Sequence, residues 1–168
     1  YAAGAVQPGD DDDYFQSSLF TIARRRILWL LILVLANGLT TKVIAMNDQI
    51  LEEIVLLAAF IPLLIGTGGN VGAQSSTVVI RGLSTQKLKS LGTIKAVIKE
   101  AITGAFLGVL MMLVVFPFAW WQGEGPLIAY AVGISLIFIT TLAATTGAIL
   151  PLLFDRMNLD PALMSSPF

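Results

Sequence analysis

Thr67, Asn70, Gln74, Thr77 and Arg81 recur at spacings of three and four. On a helix this puts their amides and hydroxyls on one face. Gly66, Gly69, Ala73 and Ser76 form an adjacent stripe of very small residues. Neutral dipoles of this kind suit a hydrated ion, which they can hold through its water shell, better than bond-making chemistry. They select a divalent cation less strongly than carboxylates would, and no Asp or Glu lies deep in any of the apolar runs. If the substrate is a cation, a carboxylate is expected from a mouth residue, a further segment or a partner.

The stripe belongs to Pro62-Leu-Leu-Ile-Gly-Thr-Gly-Gly-Asn-Val-Gly-Ala-Gln-Ser-Ser76, between the apolar runs Ile54–Ile65 and Val78–Ile80. The segment carries too little charge for a soluble loop and too much polarity to face lipid. At membrane depth small residues let backbones approach, and polar groups need partners or water because lipid offers neither. The wall of a polar path is the preferred reading over helix packing alone.

Hydrophobic residues make up 56% of the 168-residue chain against 12% charged, and mean hydropathy is +0.83. That composition points to a membrane protein. The predicted fold is all-α, a polytopic helix bundle with four transmembrane helices at about 27–46, 54–80, 96–121 and 126–154. Residues 1–20 read as a cytoplasmic linker and 21–168 as the transmembrane domain. If wholly helical, the second span extends about 40 Å, so tilt, partial unwinding or projection into the cytosol is expected.

Basic residues orient the bundle, because positive loops stay cytoplasmic. Arg24, Arg25, Arg26, Arg81, Lys87, Lys89, Lys95, Lys99 and Arg156 fall on one side and only Lys42 on the other. A cytoplasmic amino terminus and a multi-pass protein of the cell (inner) membrane follow, with Trp120 and Trp121 in the outer interfacial belt. The apolar run after the basic triplet is too long and too deep in the chain for a cleaved signal peptide.

Other chemistries find little support. The chain has no Cys and no His, which removes disulfides and the commonest transition-metal ligands. No acid–base or nucleophilic set suggests an enzyme. There is no phosphate-binding G-x-x-x-x-G-K-[ST] run for a nucleotide-driven motor and no basic footprint for nucleic acid. Asp10 to Asp13 could gather divalent cations, yet a block of like charge reads more simply as a solvated linker.

Other polar residues within the spans read as structural. Asn37 would pack helices, with Lys42 snorkelling to the outer interface. Gly104 and Gly108 form a Gly-x-x-x-Gly pair for close packing. Thr140, Thr141, Thr145 and Thr146 could satisfy carbonyls freed by Pro151. Asp160 and Pro161 look like the N-cap and first position of a further helix, 161–168, so at least one more span is expected beyond it.

At the glycine-rich stretch, Ile80-Arg81-Gly82, Gly147-Ala-Ile-Leu-Pro-Leu-Leu-Phe154 and Leu159-Asp-Pro-Ala-Leu-Met-Ser-Ser-Pro-Phe168, the sequence closely resembles the transmembrane domain of the MgtE family of magnesium channels. The likeness covers about Gln16 to Phe168. It implies a homodimer with five spans per subunit, in which the second and fifth helices line an ion path on the dimer axis. Thr67, Gly69, Asn70, Gln74 and Thr77 would line it from the second helix, with Ser166 and Pro167 at the entry to the fifth. Asp160 would be a metal ligand at the cytoplasmic periphery, although N-capping explains it as well. Mg²⁺ would be both the transported and the regulatory ion, sensed by cytosolic domains upstream. The fifth helix, with the family's metal-binding Asp, is absent from this sequence. Without the resemblance, an ion-coupled secondary transporter with a broken helix at midplane and a non-conducting membrane scaffold remain open.

Overall fold

A computed structural model describes residues 19–47, 55–85, 92–121 and 125–157. They form four helices: α1 (Leu19–Ala45), α2 (Val55–Ser84), α3 (Thr93–Trp121) and α4 (Pro126–Arg156). Among the described residues there is no strand. Asp10 to Asp13, Lys87, Lys89, Asp160, Ser165, Ser166, Pro167 and the expected helix at 161–168 lie outside the described residues.

Long uninterrupted helices are what apolar runs of this length must form in lipid, where a backbone amide or carbonyl left unpaired costs several kcal/mol. α2 shows the strength of that constraint. It stays helical for 30 residues through Pro62 and five glycines, residues that individually disfavour helix interiors in water. The partial unwinding considered for this span does not occur, so its length of about 45 Å requires tilt or projection. α4 begins where its sequence dictates: Gly125 takes φ 86°, a backbone conformation that suits glycine, and Pro126 opens the first turn.

Among the described residues, α2 from Leu57, α3 and α4 are each long and apolar enough to cross a membrane, and α1 contains the apolar run Leu30–Ala45. Arg24, Arg25 and Arg26, expected to precede the first span, are wound into the amino-terminal part of α1.

α4 is the central helix. α2 and α3 both pack along it and scarcely touch each other. At one end Phe60 of α2, Val115 and Ala119 of α3, and Ile128, Ala129, Val132 and Leu136 of α4 form a buried cluster. Phe116 adds edge contacts to Trp120 and Tyr130, with ring centroids 5.6 and 4.8 Å away. At the other end Val79, Ala148 and Leu152 are buried, with Val97 and Leu83 against them. α3 therefore runs antiparallel to α2 and α4, with Trp120 and Trp121 exposed at the first end and Arg81, Lys95 and Arg156 exposed at the second.

The Gly104/Gly108 pair packs as its spacing predicts. A Cβ on Gly104 would come within 2.6 Å of the Thr140 carbonyl oxygen, and one on Gly108 within 2.5 Å of the Ile137 Cα. The α3 and α4 backbones are in near contact there. The α4 threonines behave differently from the sequence reading. Pro151 removes the donor to the Gly147 carbonyl, but Thr145 and Thr146 donate to Thr141 and Leu142. Thr140 and Thr141 bond to Leu136 and Ile137 in the same way. A threonine hydroxyl reaches back one turn from its own position, so these residues cannot reach a carbonyl nearer the carboxyl end.

Among the described residues α1 makes at most marginal contact with the other helices. Asn37 is exposed on it and bridges to no other helix among the described residues; its carbonyl accepts the Thr41 hydroxyl at 3.0 Å. Lys42 is exposed near the end of the helix.

Candidate ion path along the second helix

The two faces of α2 have opposite fates. Gly68, Val71, Gly72, Ser75, Ser76 and Val79 turn toward the bundle, all buried except the half-buried Gly72. On the other side Gly66, Gly69, Asn70, Ala73, Gln74, Thr77 and Arg81 are exposed, with Thr67 half-buried at the edge. The polar stripe expected from the spacing thus exists as a continuous face, and neither α3 nor α4 covers it. Thr77 donates its hydroxyl to the Ala73 carbonyl at 2.8 Å, so its oxygen keeps acceptor capacity for the open side. Arg81 closes the stripe, and its carbonyl accepts the hydroxyls of Ser84 and Thr85 at 3.0 and 2.8 Å.

The small-residue stripe needs correction. Gly66, Gly69 and Ala73 are exposed, and no atom lies within 4 Å of a Cβ added at Gly66 or Gly69. Only Ser76 of that set is buried. The contact with α4 uses Gly68 and Gly72 instead, a Gly-x-x-x-Gly pair that the sequence analysis passed over. A Cβ on Gly68 would meet the Ile139 side chain at 2.6 Å, and one on Gly72 the Ala143 carbonyl oxygen at 3.4 Å.

Gly147 completes the joint and was also missed. A Cβ there would collide with the Gly72 carbonyl oxygen, and would lie 3.0 Å from the Gly72 carbonyl carbon and 3.1 Å from its Cα. All three are backbone atoms, which cannot rotate aside. α2 and α4 therefore touch backbone to backbone at Gly72, midway along the polar stripe between Asn70 and Gln74. The pairing of Gly68–Gly72 with Gly147 sets how far that face stands from α4.

Among the described residues no group of three or more Asp, Glu, His or Cys could hold a metal ion. What α2 offers an ion is therefore amides, hydroxyls and close-lying backbone, which bind water more readily than they replace it.

Long apolar helices, one of them with a polar face that the other described helices leave uncovered, define a polytopic membrane helix bundle. The chain belongs to the MgtE family, described as divalent cation transporters, whose family pattern matches residues 61–168. It is 38% identical over 142 residues to the magnesium transporter MgtE of Thermus thermophilus, covering 84% of this chain and 31% of that protein. The magnesium transporter MgtE of Bacillus subtilis is 31% identical over 157 residues, 93% of this chain and 35% of its own length. That of Enterococcus faecalis is 31% identical over 164 residues, 95% of this chain and 35% of its own length. The chain thus spans about a third of the length of these curated relatives.

Proposed function

We propose that this chain is the greater part of the membrane domain of a magnesium channel, in which α2 lines a passive, voltage-driven path for Mg²⁺. The observation that carries the reading is the uncovered face of Thr67, Gly69, Asn70, Gln74 and Thr77 on a helix whose other face is packed. A neutral polar face cannot rest against hydrocarbon without cost, so water, an ion or another polar helix must meet it. Two such faces from a homodimer, joined by a further helix carrying Ser166 and Pro167 at its entry, would enclose an aqueous path.

The chemistry suits this cargo. Mg²⁺ gives up its waters reluctantly and favours octahedral oxygen coordination, so Asn70, Gln74 and the hydroxyls would hold the hydrated ion by hydrogen bonds to its shell. The membrane potential supplies the drive, about 4.6 kcal/mol for a divalent ion across 100 mV. Asp160 would bind Mg²⁺ at the cytoplasmic periphery as part of a regulatory site, answering to cytosolic sensing domains upstream. α1 would be the first of four crossings, with the amino terminus in the cytosol and Arg81, Lys95 and Arg156 at the cytoplasmic end.

Mg²⁺ entry into proteoliposomes under a clamped, inside-negative voltage tests the reading. The full-length parent should conduct, and the Asn70→Leu, Gln74→Leu form should conduct far less at equal protein. Uptake that vanishes when only a proton or sodium gradient is removed would instead indicate a coupled transporter.

A further inference from the structure

The exposed face of α3 carries a second pattern, separate from the ion path. Lys95, Lys99, Ile102, Phe106, Leu110 and Leu113 follow one another at steps of three and four residues, and every one is exposed. They make a single stripe along the helix, opposite the face that packs Ala96, Gly104, Gly108, Val115 and Ala119. Its apolar part, Ile102 to Leu113, rises about 17 Å, close to the depth of one leaflet's hydrocarbon, about 15 Å. Two ammonium groups stand at its head, at the end of the bundle that also exposes Arg81 and Arg156. Among the described residues neither lysine forms an ion pair, and the nearest carboxylate in sequence, Glu100, is turned about 100° from Lys99 around the helix.

From this geometry we infer that the α3 stripe is a docking surface for one anionic phospholipid, its phosphate between Lys95 and Lys99 and an acyl chain along Ile102, Phe106, Leu110 and Leu113. Charge complementarity selects this occupant. A helix laid over the stripe would have to desolvate two ammonium groups that no described carboxylate pairs, whereas a lipid phosphate neutralises them at the depth where headgroups lie. The match of the apolar length to one leaflet separates a lipid from a free anion, which would use the lysines alone. The inference concerns residues of α3 alone and does not depend on what α2 conducts.

The test uses the full-length parent in bilayers containing spin-labelled phosphatidylglycerol or phosphatidylcholine, with the immobilised fraction read by electron spin resonance. The parent should prefer phosphatidylglycerol, on the order of fivefold per lysine. The Lys95→Gln, Lys99→Gln form should lose that preference, the Lys95→Arg, Lys99→Arg form should keep it, and Lys42→Gln on α1, outside the α3 stripe, should not alter it. Retention of the preference by the glutamine form, or its abolition by millimolar inorganic phosphate, would overturn the assignment. Helical circular dichroism and unchanged elution of the glutamine form separate lost lipid selectivity from lost fold.

Discussion

At the level of single residues, glycines of one sequence cluster have opposite jobs, and the space around each predicts how a methyl group will be received. Gly69 faces open space, so Gly69→Ala should leave the fold intact or stabilise α2 by up to about 1 kcal/mol. Gly147 meets the Gly72 backbone, so Gly147→Ala should destabilise the bundle by about 1–3 kcal/mol as α2 is forced off α4. Gly68→Ala should fall between, because its obstacle is the tip of the Ile139 side chain. Reversible unfolding in mixed micelles ranks the three; a Gly147→Ala protein as stable as the parent would contradict the backbone contact. The spacing of three and four revealed the polar face of α2 in the sequence, since periodicity fixes which residues share a side. It could not say which side meets a neighbour. Gly66/Gly69 and Gly68/Gly72 are equally small, and only the position of Gly147 on α4 decides between them.

Among the elements, α4 is the one on which stability should concentrate. Leu136 is fully buried between α2 and α3, and Leu136→Ala should cost about 2–5 kcal/mol. Leu35 and Leu39 of α1 are 74% and 70% exposed, and their replacement by Ala should change unfolding of the α2–α4 unit by no more than about 0.5 kcal/mol. Comparable losses at Leu39 and Leu136 would mean that α1 is packed as firmly as the rest. The helices and most of their limits were legible in the sequence: second, third and fourth spans expected at 54–80, 96–121 and 126–154 are helices over Val55–Ser84, Thr93–Trp121 and Pro126–Arg156. The ends ran on because hydropathy marks where a segment becomes polar, whereas a helix continues until its backbone is interrupted. For the same reason Arg24 to Arg26, read as a flank, are part of α1.

For the whole molecule, the segregation of charge predicts how it sits in the membrane. Arg81, Lys95 and Arg156 share one end of the bundle and the tryptophans Trp120 and Trp121 the other, so the basic end is predicted to face the cytosol. Because the chain has no cysteine, single cysteines report sidedness directly. In intact cells an impermeant maleimide should label Lys42→Cys from outside and leave Arg156→Cys untouched until the membrane is opened; the reverse pattern would invert the topology. Family and general architecture could be read from the sequence because the glycine-rich and Pro151 motifs carry both. What encloses the polar face could not, because neither α3 nor α4 covers it.

The central claim is that the uncovered face of α2 conducts Mg²⁺, and the most direct measurement is Mg²⁺ flux at clamped voltage in proteoliposomes holding the full-length parent or its Asn70→Leu, Gln74→Leu form. Each amide contributes hydrogen bonds of about 1 kcal/mol to a hydrated ion, so flux should fall about tenfold or more at equal protein. Undiminished Mg²⁺ entry through a folded double variant would contradict a path lined by α2.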